Sequence, residues 1–293
     1  MIIVELQGGL GNQMFQYAFG KSLAIKLNTP LYFDISCFEL ENEKSDKMRP
    51  YQLDLFNLPI KFAKKNIINQ FLNPSKFQRG LNKFRFLKKT YFKEYSFLFD
   101  PKVNTQSPSV YFEGYWQSEK YFATSDSIKQ ALNFEKSLNY KSERLKLEIF
   151  QKENSVSIHV RRGDYILSPE SIQFHGTCTI DYYKSAINLI REYVNKPFFY
   201  FFSDETKWVE QNIVSGLTNY TIVKHNQGAD SWQDMALMSK CKHHIIANSS
   251  FSWWGAWLNT SPNKIVIAPK NWFAKPDLNQ QSETSIPENW IRI

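Results

Sequence analysis

From residue 155 to residue 268, short apolar runs alternate regularly with stretches of helical spacing, and few folds accept that pattern. The runs cover 155–161, 198–203, 220–224, 243–247 and 264–268. Helical patterns lie near 180–194, 205–213, 231–241 and 250–259, the third opened by Asp230 or Ser231 as a cap. Strands separated by helices predict a parallel sheet covered on both faces, with ligands at the carboxyl ends of the strands. Phe198-Phe199-Tyr200-Phe201-Phe202 is too short to cross a membrane and reads as a buried strand in this series.

The chain also opens β-α-β. Ile2–Leu6 and Leu31–Ile35 read as strands, and Phe15, Ala18, Phe19 and Ser22 share one helical face between them. The turn Gln7-Gly8-Gly9-Leu10-Gly11-Asn12 feeds that helix, with Asn12 expected as its N-cap. Gly9 and Gly11 predict a backbone that approaches a neighbouring element or a ligand closely. The dinucleotide fingerprint is not met, because Met14 stands where a third glycine or alanine belongs. Residues 36–60 read as loop with short elements, and Val110–Trp116 as a strand and turn. Helices are expected near 119–132 and 140–153. The division predicted is an N-terminal unit, 1–150, and a C-terminal unit, 151–293.

Charge is concentrated. Lys61, Lys64, Lys65, Lys76, Arg79, Lys83, Arg85, Lys88, Lys89 and Lys93 fall in one stretch without an acidic residue, in a chain of net charge +8. Aromatic residues are interleaved with them. A partly helical pair with a solvated cationic face explains the stretch; contact with an anionic membrane surface or a nucleic acid is the alternative. Cys37, Cys178 and Cys241 make neither a metal pattern nor a redox pair, which predicts reduced thiols in a cytoplasmic protein. Neither a signal peptide nor an apolar run of ~20 residues is present in the sequence.

Three strand ends carry unusual polar residues. The first is His159-Val160-Arg161-Arg162-Gly163-Asp164-Tyr165. Adjacent strand residues face opposite ways, so Arg161 and Arg162 serve one site only if the chain turns, as Gly163 permits. Two guanidiniums there suit a diphosphate; alternatively, one arginine pairs with Asp164 and the other is solvated. The second end is Ser203-Asp204-Glu205, whose carboxylates suit the paired donors of a base or ribose. The third is Asn248-Ser249-Ser250-Phe251-Ser252-Trp253-Trp254, a serine-rich helix start that suits phosphate, though Ser249 or Ser250 also explains a simple cap. Neither a phosphate-loop lysine motif nor an Asp-x-Asp metal motif is found. The arginines would then do what a metal ion does elsewhere, stabilising charge on a leaving phosphate. His175, His225, His243 and His244 lack metal-ligand spacing.

These three stretches, with Gly8-Gly9-Leu10-Gly11-Asn12-Gln13-Met14-Phe15-Gln16-Tyr17, resemble the motifs of the α-1,2-fucosyltransferases, glycosyltransferase family eleven, in order across residues 8–254. The resemblance implies a GT-B-like α/β enzyme of two Rossmann-like domains, acceptor side first and donor side second. It implies inverting transfer of fucose from GDP-β-L-fucose to the 2-hydroxyl of a terminal galactose, without metal or cofactor. It makes Arg161 the diphosphate ligand and Arg162 its support. His159, Asp204 and Glu205 match positions associated with guanine recognition. Asn248, Ser249, Ser250 and Ser252 fall in the phosphate-contacting stretch, and Asn12 matches an asparagine near donor and acceptor. Asp164 is the first choice for a general base and Glu170 the second; Asp164 orienting an arginine is the other reading. The resemblance also implies a bacterial enzyme of surface-glycan synthesis, soluble or peripheral at the inner membrane face. Transfer from another GDP-sugar, or into another linkage, is the near alternative. A basic nucleic-acid or membrane-surface protein built on 61–93 is the distant one.

Overall fold

A computed structural model describes residues 1–41, 49–75, 90–106, 109–122, 125–166 and 169–293. Lys76, Arg79, Lys83, Arg85, Lys88 and Lys89 of the basic stretch lie outside the described residues, as do Asn42–Asp46 of the expected loop. The described chain forms two compact units. Unit one comprises Met1–Glu135 with Glu283–Ser285, and unit two Lys136–Ser282 with Ile286–Ile293. The helix Tyr140–Gln151, expected on the N-terminal side, therefore belongs to the second unit. Its start is tied there by Asn139, whose backbone N–H donates to Gln233 Oε1 at 2.8 Å.

In unit one, β1 (Ile2–Glu5), β2 (Leu31–Asp34), β3 (Thr90–Lys93) and β4 (Val110–Glu113) make a parallel sheet in the order β2-β1-β4-β3. The helix Leu10–Lys26 joins β1 to β2 and buries Met14, Phe15, Ala18 and Phe19. Phe19 stacks on Trp116 at 4.2 Å and meets Phe112 and Tyr121 edge-on, which ties the helix to the segment after β4. This helix starts earlier than expected. Gly9 is the N-cap and Asn12 already lies in the first turn, because Gly8 reverses the chain at φ +73°. The expected loop 36–60 contains a short helix, Ser36–Glu41, whose entry Asp34 holds by accepting from the Ser36 N–H at 2.9 Å.

In unit two, β5 (Ser155–Val160), β6 (Phe198–Ser203), β7 (Tyr220–Val223), β8 (His243–Ile245), β9 (Val266–Ala268) and β10 (Ile291–Arg292) are all parallel, in the order β10-β9-β8-β5-β6-β7. The two-residue β10 is too short to give a sequence pattern. All six residues of β5 are buried. Val156, Ile158 and Val160 pack in a core with Ile187 and Ile190 of the helix Ile180–Tyr193. Two of the alternate polar residues find partners beside the strand: Ser157 Oγ lies 2.8 Å from His244 Nδ1, and Ser155 Oγ accepts from the Lys242 N–H at 3.1 Å. The helix Trp232–Met238 is not capped as expected. Ser231 is its N-cap residue without a side-chain bond, and Asp230 instead accepts from Gln233 Nε2 at 3.0 Å.

The chain runs from β5 outward to β6 and β7, then returns to β8 beside β5 and continues outward to β9 and β10. Strand order thus reverses between β5 and β8, and at such a point the loops leaving the two carboxyl ends part and open a crevice. Among the described residues, no helix is long and apolar enough to cross a membrane.

Candidate active site

The arginine turn is built by register. Val160 of β5 pairs with Ser203 of β6, so the next residue on each strand, Arg161 and Asp204, leaves the sheet side by side. Arg161 Nη1 lies 3.0 Å from Asp204 Oδ2, and Nη2 lies 2.6 Å from Asp164 Oδ1. Asp204 Oδ1 also accepts from the Arg162 N–H at 3.0 Å. Gly163 packs tightly here, because a Cβ at that position would stand 2.8 Å from Asp204 Oδ2 and make that side chain shift. The chain does turn, into a short 3-10 helix, Gly163–Ile166. The two arginine heads nevertheless part: Arg162 stacks on Trp208, 4.1 Å from the ring centroid, while Arg161 stays between the two carboxylates. An arginine paired with Asp164 was one of the two sequence readings, and Arg161 is that arginine. Trp208, from the helix Thr206–Asn212, carried no signal in the sequence.

Between the loops that follow β5 and β8, the Tyr165 hydroxyl donates to the Asn248 carbonyl at 3.2 Å, and the Tyr165 ring stacks on His175 at 4.4 Å. His159 is buried against Phe251, ring centroids 5.6 Å apart, and its Nδ1 has no hydrogen-bond partner. Burial, and then the charge of Arg161, hold its pKa down to about 3, so the imidazole is neutral at neutral pH.

The serine-rich helix start divides its labour. Ser249 is the N-cap of the helix Ser250–Leu258 and accepts from the Phe251 N–H at 3.3 Å. Ser252 is buried and turns its hydroxyl back to the carbonyls of Ala247 and Ser249, at 3.4 and 3.3 Å. Asn248 fastens three segments: its Nδ2 donates to the carbonyls of His175 at 2.9 Å and Trp272 at 3.1 Å, and the Cys178 thiol donates to its Oδ1 at 3.5 Å. Ser250 is the partly exposed serine, at the first helical position. Lys264 Nζ anchors the far end of the helix by donating to the carbonyls of Ala256 and Asn259, both at 2.8 Å.

Glu205 follows Asp204 at the N-terminus of the helix Thr206–Asn212, and Ser203 Oγ bends the chain there by accepting from the Glu205 N–H at 2.9 Å. Glu170 is exposed on the short helix Pro169–His175. Beyond β7, sequence reasoning missed a buried network. Asn226 Nδ2 donates to Asp234 Oδ1 at 2.8 Å, and Asn226 Oδ1 accepts from Ser142 Oγ at 3.0 Å and Asn139 Nδ2 at 3.1 Å. Burial pushes the Asp234 carboxyl up to about 7, against the lowering effect of the Asn226 bond.

In unit one, the glycine turn is held by amides. Gln13 Nε2 donates to the carbonyls of Gly8 at 2.8 Å and Pro50 at 2.9 Å, and Gln16 Nε2 donates to Gly114 O at 3.1 Å. Asn12 Oδ1 accepts from Gln117 Nε2 at 2.8 Å, so Asn12 joins the turn after β1 to the segment after β4. Among the described residues, Gly9 has the Arg49 side chain near its missing Cβ, at 3.9 Å, whereas Gly11 is buried within the helix. The same sheet edge carries Glu5, pushed up to about 7 by burial and by the neighbouring Glu113 and Asp34.

The described chain thus has two α/β units built on parallel sheets, the second carrying a guanidinium and carboxylates beside its strand reversal. The chain belongs to glycosyl transferase family 11, whose family model matches residues 1–293. An Escherichia coli protein named alpha-1,2-colitosyltransferase is 36% identical over 296 residues, covering 100% of this chain and 99% of that protein. The Escherichia coli O-antigen biosynthesis glycosyltransferase WbnK is also 36% identical, over 98% of this chain and 99% of its own. The human galactoside alpha-(1,2)-fucosyltransferase 1 is 31% identical over 105 residues, 35% of this chain and 28% of that protein. Among solved structures, the NodZ alpha-1,6-fucosyltransferase soaked with GDP-fucose matches with a TM-score of 0.53 at 15% identity, over 91% of this chain and 94% of that one. A mutant of Arabidopsis thaliana FUT1 in complex with GDP matches with a TM-score of 0.53 at 15% identity, over 94% of this chain and 72% of that one.

Proposed function

We propose that this glycosyltransferase moves L-fucose from GDP-β-L-fucose to the 2-hydroxyl of a terminal galactose, with inversion and without a metal ion, in building an O-antigen or related surface glycan. The carbon–oxygen bond to GDP breaks, the acceptor oxygen bonds to the same carbon from the opposite face and gives up its hydroxyl proton to a base or to water, and GDP leaves with the electron pair. The observation that carries this reading is Arg161, a cation held in place at the carboxyl end of β5 beside the strand reversal. A preoriented guanidinium stabilises the charge that develops on a leaving diphosphate. Ser250, at the first position of the helix Ser250–Leu258, supplies a hydroxyl at a helix N-terminus. His159 and Glu205 are assigned to the nucleoside, and Asn12 to the sugar. On this reading the protein works on the cytoplasmic side, in solution or against the inner face of the membrane.

A second donor is favoured by one observation, the 36% identity to a protein named for colitose transfer. Colitose is fucose without its 3-hydroxyl. A site that hydrogen-bonds this hydroxyl rejects the deoxy sugar by a factor of about 10⁴, whereas an apolar contact there tolerates both. GDP release from GDP-fucose, GDP-colitose and GDP-mannose, each with a panel of galactose-terminated acceptors, separates the readings. GDP-fucose is expected to be used at least tenfold better than GDP-colitose, with GDP-mannose inert. Preference for GDP-colitose reverses the donor assignment, and turnover of GDP-mannose alone overturns both.

A further inference from the structure

The carboxylate of Asp204 was expected to read a base or a ribose, but its surroundings give it other work. Its Oδ2 faces Arg161 Nη1 at 3.0 Å and its Oδ1 accepts from the Arg162 N–H at 3.0 Å, so each oxygen already has a partner from the arginine turn. The Cα of Gly163 packs so closely on this carboxylate that a Cβ there would stand 2.8 Å from Oδ2 and 3.0 Å from Cγ. Three consecutive residues, a side chain, a backbone N–H and a glycine Cα, therefore converge on one carboxylate. The convergence follows from the sheet, since the pairing of Val160 with Ser203 brings Asp204 beside Arg161 as both strands end.

We propose that Asp204 is a positioning residue that sets the rotamer of Arg161 and the path of the turn behind it, rather than a group that contacts the nucleoside. The proposal rests on the donor reading given above, in which Arg161 meets the diphosphate. A long arginine side chain loses considerable rotamer freedom when it binds an anion. A carboxylate that holds one amino group lowers that loss in advance, and its grip on the Arg162 N–H prevents the turn from rotating Arg161 away. The effect of Asp204 on binding should therefore travel with the diphosphate and not with the base.

The test compares GDP, inorganic pyrophosphate and guanosine as ligands of the wild type, Asp204→Asn and Asp204→Ala, by calorimetry, alongside KM and kcat with GDP-fucose. Asp204→Ala should weaken GDP and pyrophosphate by a common factor of about 10 to 100 and leave guanosine unchanged. Asp204→Asn should recover part of that loss, because its amide oxygen still accepts from the Arg162 N–H. An equal loss for guanosine would return Asp204 to the nucleoside, and wild-type affinity for all three ligands in Asp204→Ala would remove it from the site.

Gly163→Ala, which presses a methyl group against the same carboxylate, supplies a readout that needs no ligand. If both residues act through one contact, the melting-temperature losses of Gly163→Ala and Asp204→Ala should fall short of adding in the double variant. Additive losses would sink the proposal. If the wild type binds neither GDP nor pyrophosphate, the donor reading fails by itself, and the double variant still decides whether Asp204 sets the turn.

Discussion

Arg161 and Asp164, three residues apart, meet through Nη2 and Oδ1 at 2.6 Å. A carboxylate turned toward a guanidinium is oriented to hold it. Asp164→Asn should accordingly keep turnover within about tenfold of wild type, the residual loss reflecting a looser Arg161. Steady-state kinetics across pH decide this. A fall of about 10² to 10⁴, with the acid limb of the profile gone, would make Asp164 the general base.

Arg161→Ala should lower transfer by about 10²–10³ or more while the protein stays folded. The side chain is 21% exposed, so water can solvate the two carboxylates it leaves behind, and the cost in stability should be ~1 kcal/mol. Circular dichroism and melting temperature check the fold; GDP release from GDP-fucose checks the chemistry. An active variant would overturn the assignment of the diphosphate.

With a guanidinium meeting the charge of the diphosphate, transfer should proceed at full rate in excess EDTA and should not rise with added magnesium or manganese. Loss of activity on chelation that a single divalent ion restores would contradict this.

Asp234 makes stability depend on pH in a defined direction. Its carboxyl titrates near 3.8 in an unfolded chain and near 7 when buried beside Asn226. Below about pH 4 both states are protonated and the folded state keeps the full contribution of the neutral acid. As pH rises toward 7 the unfolded chain releases its proton first, so stability falls through that window, and above it the contribution is lost. Asp234→Asn should remove this dependence and stabilise the protein at pH 8 by ~1–3 kcal/mol, with little gain at pH 4. Buried histidines such as His244 act in the opposite sense, losing stability as pH falls, but they are common to both proteins and cancel in the difference. Equal denaturation midpoints at both pH values would show that the carboxyl is not held neutral.

Gly8→Ala should cost ~1–2 kcal/mol of stability. The position has φ +73°, and its Cβ would stand 2.7 Å from Asn12 Nδ2. Thermal melts should show the loss, and crystals or hydrogen exchange should locate the disturbance at Asn12 and Gln117, which share a 2.8 Å bond.

The sequence alone determined the parts whose causes are local. Apolar runs and helical spacing marked β5 through β9, whose parallel pairing the structure bears out. Unusual polar residues marked the strand ends that carry Arg161, Asp204 and Ser249. Elements set by a few long-range contacts were not legible. The two residues of β10 are strand because Ile267 and Ala268 pair with them. The helix Tyr140–Gln151 joins the second unit because its N-terminal turn bonds to Asn226 and Gln233. The expected N-cap at Asn12 gave way to Gly9 because Gly8 turns the chain earlier. Charge type could nominate Arg161, Arg162, Asp164 and Asp204 for one edge, but not say which would pair. That was decided when register set Asp204 beside Arg161 and the backbone turn sent Arg162 to Trp208. The physical reason is that propensity and periodicity act over a few neighbouring residues. The partner of a charged side chain is chosen by whichever distant strand the sheet brings alongside it.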